Sequence, residues 1–459
     1  MTKNVKDGCI TLCRSNPVNI AWVPDLGYTM AGHSTGSGKQ LLLDHDQINR
    51  IQSCIMSRTA KYTDMGWPEQ AALWKYDLLS EPLLSSELGR LAAAKSYHNT
   101  DCVTLQPSPN PEDSSQDRYV VLDWTLSNGT WQFRAVFDGH AGHDTVEHVV
   151  ETLPGMVQSA LTALLSKDNE LIAEAVSQML KDTITSLDDD LTMDVLKLFP
   201  DVDAISNLSD DNIRAIINDQ ESGGTNSKVV TRCMRGTTVL ISLVDPQRCN
   251  LWMRVMEPMP ALGIRQPDGR WETSILSSYH NGTDAAERER IKNEHPGESE
   301  CIVDDRVLGA IAVTRAVGDH LFKLPAAYTE RVFMNAKPGF NISRKIEEFL
   351  GRNITPPYVS NRADVRYVKL EEKETLLIMC SDGLLDLYQD KGMALHGLGD
   401  FWVQLLAQRE KPWDDSNLAL YLLRDALGGE DADLVSRMIT VELTFRWMDD
   451  TTILVQKVY

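Results

Sequence analysis

The stretch VFDGHAGH, residues 136–143, ends an apolar run, WQFRAVF, on an Asp, a Gly and a His. A segment this rich in aromatic and β-branched residues reads as a buried strand. A carboxylate at its end is costly to bury unless a cation, a set of donors or a metal meets it. The pattern recurs. TLLIMCS runs into Asp382, again followed by Gly, and TFRWM meets Asp449 and Asp450 just before TTILV. Asp117 opens a fourth run, DRYVVLD. No Lys or Arg adjoins Asp138 or Asp382 in the sequence. One Asp-Gly after a strand is ordinarily a turn. Repeated at several strand ends that converge, such acids make an oxygen-rich cage of the kind Mg²⁺ or Mn²⁺ prefers.

HAGHDTVEH offers a competing reading, because His140, His143 and His148 approach the spacing of one helical face and could suit zinc. The glycines delay the helix, which places His140 in the turn and leaves His143 and His148 to surface roles. Eight cysteines, at 9, 13, 54, 102, 233, 249, 301 and 380, form no CxxC pair and read as reduced thiols. GHSTGSGKQ (32–40) is no phosphate loop: its glycine is out of register with Lys39, and Gln40 stands where a hydroxyl would hold magnesium.

The chain has 459 residues, 42% hydrophobic and 24% charged, enough for two or three domains or one large one with insertions. A net charge of −21 argues against a nucleic-acid binder, since nothing neutralises phosphates in bulk. It does not exclude an anionic substrate, because bound cations invert a local field. No run approaches the ~20 apolar residues of a membrane helix, and the first residues form neither a clear secretory signal nor an Arg-rich transit peptide. The expectation is an intracellular protein of the mitochondrial matrix or the cytoplasm.

Residues 1–95 read as an N-terminal extension, partly flexible, with helical patterns in LDHDQINRIQSCIM and LLSSELGRLAAA. From 96 to 459 strands come first, then two long helical stretches and an acidic helical insertion at about 165–230, then strands again (GTTVLISLVD, NLWMRVM, RVLGAIAV, TLLIMCSD, TTILVQKV). That order predicts an α+β fold, two antiparallel sheets packed face to face with helices outside.

In order along the chain, SSQDR (114–118), VFDGHAG (136–142), RGTTVLISLV (235–244), RVLGAIAVTRAVGD (306–319), SDGLLD (381–386) and DDTTILV (449–455) resemble the metal-dependent Ser/Thr protein phosphatases of type 2C. ERERIKNEHPGE (287–298), DHLFK (319–323) and LLRDALGG (422–429) resemble the pyruvate dehydrogenase phosphatase branch. The resemblance implies an α-β-β-α sandwich with a binuclear Mg²⁺ or Mn²⁺ centre at one end and a phosphorylated protein as substrate. It implies that Asp138 bridges the ions, that the Gly139 carbonyl, Asp382 and Asp449 complete them, and that Asp117 acts directly or through water. His140 is implied as the general acid, and Asp386 as an acid near a third, weaker site.

Four positions depart from the family pattern. Glu257-Pro258 replaces a Gly-Asp-Ser-Arg-like turn and puts the third ion in doubt. Gln116 stands where Glu is common, Glu112 near the place of a phosphate-binding Arg, and Tyr279-His280 where Asp-His is common. The alternative to an enzyme is a catalytically weak or inactive binding protein that keeps the phosphatase fold.

Overall fold

The structure is a computed structural model. It describes residues 19–23, 27–31, 58–67, 72–110, 113–167, 173–256, 259–277, 280–340, 344–362, 364–408 and 417–459, the first two segments as backbone only. LDHDQINRIQSCIM, GHSTGSGKQ, Glu112, Glu257-Pro258 and Tyr279 lie outside the described residues.

The chain divides into two units: residues 1–90 with 427–443, and residues 91–426 with 444–459. The division falls a few residues before the expected 95/96 boundary, and a late segment joins the first unit. In that unit Arg58–Thr63 and Trp74–Leu79 form an antiparallel hairpin. The helix Ala432–Thr440 clasps it: the Ser436 hydroxyl accepts from Leu79 N at 3.0 Å, and Asp433 accepts from Lys61 Nζ at 2.9 Å and from the Tyr76 hydroxyl. Burial and that carboxylate push the Tyr76 phenol up to about 12.

The second unit is built on two large antiparallel sheets. In chain order their strands are β1 Lys95–Tyr97, β2 Thr100–Leu105, β3 Arg118–Leu126, β4 Gly129–Phe137, β5 Leu240–Val244, β6 Asn250–Val255, β7 Ala261–Arg265, β8 Trp271–Ile275, β9 Asp364–Lys369, β10 Thr375–Cys380 and β11 Thr451–Lys457. One sheet runs β9-β6-β5-β4-β3, the other β8-β7-β10-β11-β2-β1. Strict alternation on β4 and β5 sorts their side chains. Val136, Leu240 and Val244 meet Cys102, Leu262, Leu377, Met379 and Leu454 of the facing sheet in one buried cluster. The other face of β4 and β5 (Trp131, Phe133, Phe137, Ile241, Leu243) packs on two long helices, α1 Asp144–Leu165 and α2 Ala173–Leu198. On the second sheet's outer side lies the helix Leu395–Ala407, so close that a Cβ on Gly263 would meet Val403 Cγ1 at 2.6 Å. The predicted α+β sandwich is therefore the observed fold.

Two segments differ from their sequence reading. The acidic run after residue 187 continues α2 without a break. Val176, Leu180, Ile184, Leu187, Leu191 and Val195 recur every three or four residues, so the helix keeps one buried stripe, which Asp188 joins, while Asp182, Asp189 and Asp190 face out. RVLGAIAV is no sheet strand. Arg306–Val307 pairs with Ile302–Val303, the chain turns through left-handed Leu308 and Gly309, and beyond the turn Ile311 and Val313 make single bridges, to Val307 and Asn281. Its apolar residues instead enter a second core, where Val307 and Leu308, with Ile311 and Val313 against them, meet Val195, Phe199, Ile213 and Tyr328.

Candidate active site

Strand register, not proximity in sequence, gathers the acids. Arg118 on β3 faces Phe137 on β4, so Asp117 and Asp138 emerge at the same end of the first sheet. Cys380 on β10 faces Ile453 on β11, which brings Asp382 beside Asp449 and Asp450. Gln116 N donates to Asp450 Oδ2 at 2.8 Å and ties the two sheet ends together. After Ser381 the chain enters α3 Asp382–Gln389.

Asp117 is buried, and neither of its carboxylate oxygens has a hydrogen-bond partner. The Ser381 and Thr452 hydroxyls lie near enough to favour its anion. Both are engaged elsewhere, Ser381 Oγ with Asp450 O at 3.2 Å and Thr452 Oγ1 with Thr104 Oγ1 at 2.9 Å. Burial first, then the charges of Asp450 and Asp382, hold the Asp117 carboxyl well above the usual range. Asp138 is raised in the same way, by burial and then by Asp382, Asp117 and Asp449, and it lies within hydrogen-bonding reach of Asp382. Burial, Asp449 and Asp386 push Asp382 up to about 6. Asp386 is exposed at the rim and is raised by burial, Asp449 and Asp390. These groups repel one another with too little positive charge between them. Unpartnered buried oxygens of this kind fit a hard divalent cation. Among the described residues, no three acidic, imidazole or thiol side chains are already drawn tightly enough to close round one ion.

Asp449, expected as a ligand, is held by Arg446, which also reaches Asp450 Oδ2 at 3.0 Å. A metal at Asp449 would compete with that guanidinium. Asp450 is saturated by Gln116 N, Arg446 and Gln106 Nε2 at 2.9 Å, which is the bonding of a structural group. Gly139 is required by close approach: a Cβ there would lie 2.6 Å from Gln116 O and 2.9 Å from Val146 Cγ1. Gln116 Oε1 accepts from Gly142 N at 2.7 Å, so this departure from the family's Glu fastens the turn that carries His140.

His140 does not lie in an open turn. With Gly139 it forms a two-residue strand against Gly236–Thr237. His140 Nε2 and Asp319 Oδ2 are 2.6 Å apart. Burial alone would lower the imidazole, but the charge and hydrogen bond of Asp319 outweigh it and leave it raised. His143 Nε2 lies 3.4 Å from Ser114 Oγ, and His148 Nδ1 accepts from Arg232 at 3.1 Å, so the three histidines serve separate partners. Sequence reasoning missed Asp319. Its signal was present in RAVGD (315–319), but its partner is 179 positions away.

Gly236 makes the pair testable. A Cβ there would collide with both Asp319 Oδ2 and His140 Nε2. Gly236→Ala is expected to lower turnover on phosphothreonine peptides about 100-fold, the scale of general-acid catalysis. The peptide KM and the thermal midpoint should stay near those of the unmodified protein.

Residues 268–394 match the family described as Protein phosphatase 2C. Over longer stretches the chain is similar to known phosphatases. It is 24% identical over 370 residues to the Protein phosphatase 2C homolog C10F6.17c of Schizosaccharomyces pombe, covering 75% of this chain and 77% of that one. It is 26% identical over 417 residues to the mitochondrial pyruvate dehydrogenase (acetyl-transferring)-phosphatase 1 of Saccharomyces cerevisiae, covering 77% of this chain and 67% of that one. With the Homo sapiens protein of the same name it shares 30% identity over 228 residues, and the matched stretch spans 42% of either chain.

Proposed function

We propose that this protein is a metal-dependent phosphatase of phosphoserine and phosphothreonine in proteins. The observation that carries this reading is the buried carboxylate of Asp117, without a partner, beside Asp138 and Asp382 at the meeting ends of two sheets. Asp138, the Gly139 carbonyl and Asp382, with Asp117 behind them, would hold two ions, Mg²⁺ or Mn²⁺. Asp449 would join them on release from Arg446, and Asp386 stands at the rim. Such ions supply a water acidic enough to attack phosphorus near neutral pH and charge to offset the phosphoryl oxygens.

The rest is the work of the chain. Asp319 engages His140 Nε2 and keeps the ring protonated further up the pH scale. The other ring nitrogen, Nδ1, is then the donor for the departing serine or threonine oxygen. The Asp138 carbonyl accepts from Thr238 N at 2.8 Å and from the Thr237 hydroxyl at 3.0 Å, which fixes the backbone that carries the acid. Similarity to mitochondrial pyruvate dehydrogenase phosphatases supports pyruvate dehydrogenase or a related phosphoprotein as substrate, and the mitochondrion as the compartment. Among the described residues no helix is long and apolar enough to cross a membrane.

The test is phosphate release from phosphothreonine peptides and from phosphorylated pyruvate dehydrogenase. Release is expected with Mn²⁺ or Mg²⁺ and should stop on chelation. Full activity in excess chelator would overturn the reading.

A further inference from the structure

Helix α2 delivers one buried carboxylate to the loop behind His140. Asp188, its side chain 2% exposed, accepts from Gly318 N through Oδ1 and from Lys323 Nζ through Oδ2, each at 2.7 Å. Lys323 also donates to Ala316 O at 2.8 Å. Between these ties the backbone passes through two left-handed residues, Gly318 (φ +83°) and Asp319 (φ +55°). A non-glycine residue in that region costs roughly 1 kcal/mol or more and persists only where its surroundings hold it. On the far side, His320 Nδ1 donates to Cys233 O at 3.1 Å and Nε2 accepts from Thr192 Oγ1 at 2.6 Å. Burial pushes that imidazole down to about 4, so it is a neutral peg near pH 7. Asp319 N donates to Arg235 O at 2.8 Å.

We propose that Asp188 is a positioning residue for the His140–Asp319 pair, clamping the loop 316–323 so that Asp319 presents Oδ2 to the imidazole. The proposal deepens the phosphatase reading and rests on it. A buried ion pair adds little net stability over apolar side chains of the same volume. What Asp188 provides that an apolar residue cannot is a fixed acceptor for the Gly318 amide, one residue before Asp319. The helical stretch between the second and third motifs is thereby part of the catalytic framework.

Removing Asp188 alone would strand a buried Lys323, so the test uses two double variants. Asp188→Leu/Lys323→Met removes both charges and the acceptor. Asp188→Asn/Lys323→Met removes both charges and keeps an amide oxygen for Gly318. The first is expected to lower kcat on a phosphothreonine peptide by at least about tenfold, with KM within about twofold. On p-nitrophenyl phosphate, whose leaving group needs no proton, it should stay within about threefold. The second should restore most of the peptide turnover. Equal losses on both substrates, or equal behaviour of the two variants, would overturn the proposal.

A second readout does not depend on catalysis. The proton of the His140–Asp319 bond should give a far-downfield NMR resonance, identified by its loss in Asp319→Asn. It should vanish in the Leu/Met variant and persist in the Asn/Met variant. Its persistence in the first, or its absence from the unmodified protein, sinks the proposal. An unmodified protein that releases no phosphate would instead defeat the phosphatase reading, and the resonance would still decide the role of Asp188.

Discussion

Asp138→Asn is expected to cut phosphate release at least about 10³-fold, equivalent to ~4 kcal/mol of lost transition-state stabilisation. Asp138 faces Asp382, Asp117 and Asp449 at once, so it is the acid most central to the constellation. Asn keeps the shape and removes one negative charge where cations must be held. The same change relieves repulsion among carboxylates when no cation is present. Two opposite shifts should therefore appear together. In chelator, the variant should melt a few degrees above the unmodified protein. On adding Mn²⁺, the unmodified protein should gain stability by mass action while the variant gains little. Phosphate release with melting curves in both conditions checks this. A variant that still turns over at the original rate would remove Asp138 from the site.

Glu287→Ala is expected to destabilise the second unit by about 3 kcal/mol, the low end for removing one partner of a buried ion pair, since Arg290 keeps Glu294 and Arg315 keeps Asp364. Glu287 lies in ERERIKNEHPGE, and its side chain is 5% exposed. Its carboxylate accepts from Arg315 Nη2 at 2.6 Å, Arg290 Nη2 at 2.8 Å and the Thr314 hydroxyl. Burial works against the charge, but Arg315, Arg290 and Thr314 win and hold the carboxyl at about 2, against 4.5 for a free side chain. The sign follows from that depression. The contribution is complete above the unfolded value near 4.5 and is lost as pH falls through it toward about 2. The span corresponds to roughly 3 kcal/mol. Urea unfolding of Glu287→Gln beside the unmodified protein should show a large gap at pH 7 that closes toward pH 2. A gap independent of pH would show that the network does not act through the charge of Glu287. Because Thr314 and Arg315 lead directly into the loop carrying Asp319, the variant is also expected to lose activity before it unfolds.

Much of this protein is legible in its sequence, and the legible parts share a cause. Period-two alternation sorts WQFRAVF and GTTVLISLV into one face for the helices and one for the second sheet, because successive strand residues point to opposite sides. Asp138 and Asp382 stand out because a carboxylate at the end of a buried run is a local anomaly. Gly139 can be singled out in the sequence, but the backbone oxygen of Gln116 that excludes a side chain there cannot. Where apolar content alone suggested a strand, as in RVLGAIAV, the residues satisfied their burial in a second core through tight turns.

The sequence by itself determined which alternating segments become sheet strands, though not the fate of RVLGAIAV, and that several strands end in acids without an adjacent cation, since both are properties of neighbours along the chain. Only the tertiary structure decided the electrostatic partners. It set Asp319 on His140, Asp188 on Gly318 and Lys323, and it made Arg446 the counter-charge of Asp449, three positions away but turned toward it only by the bend before β11. The physical reason is range. Periodicity is read within a few residues, whereas a buried charge is compensated by whatever the packing of sheets and helices brings within about 3 Å of it.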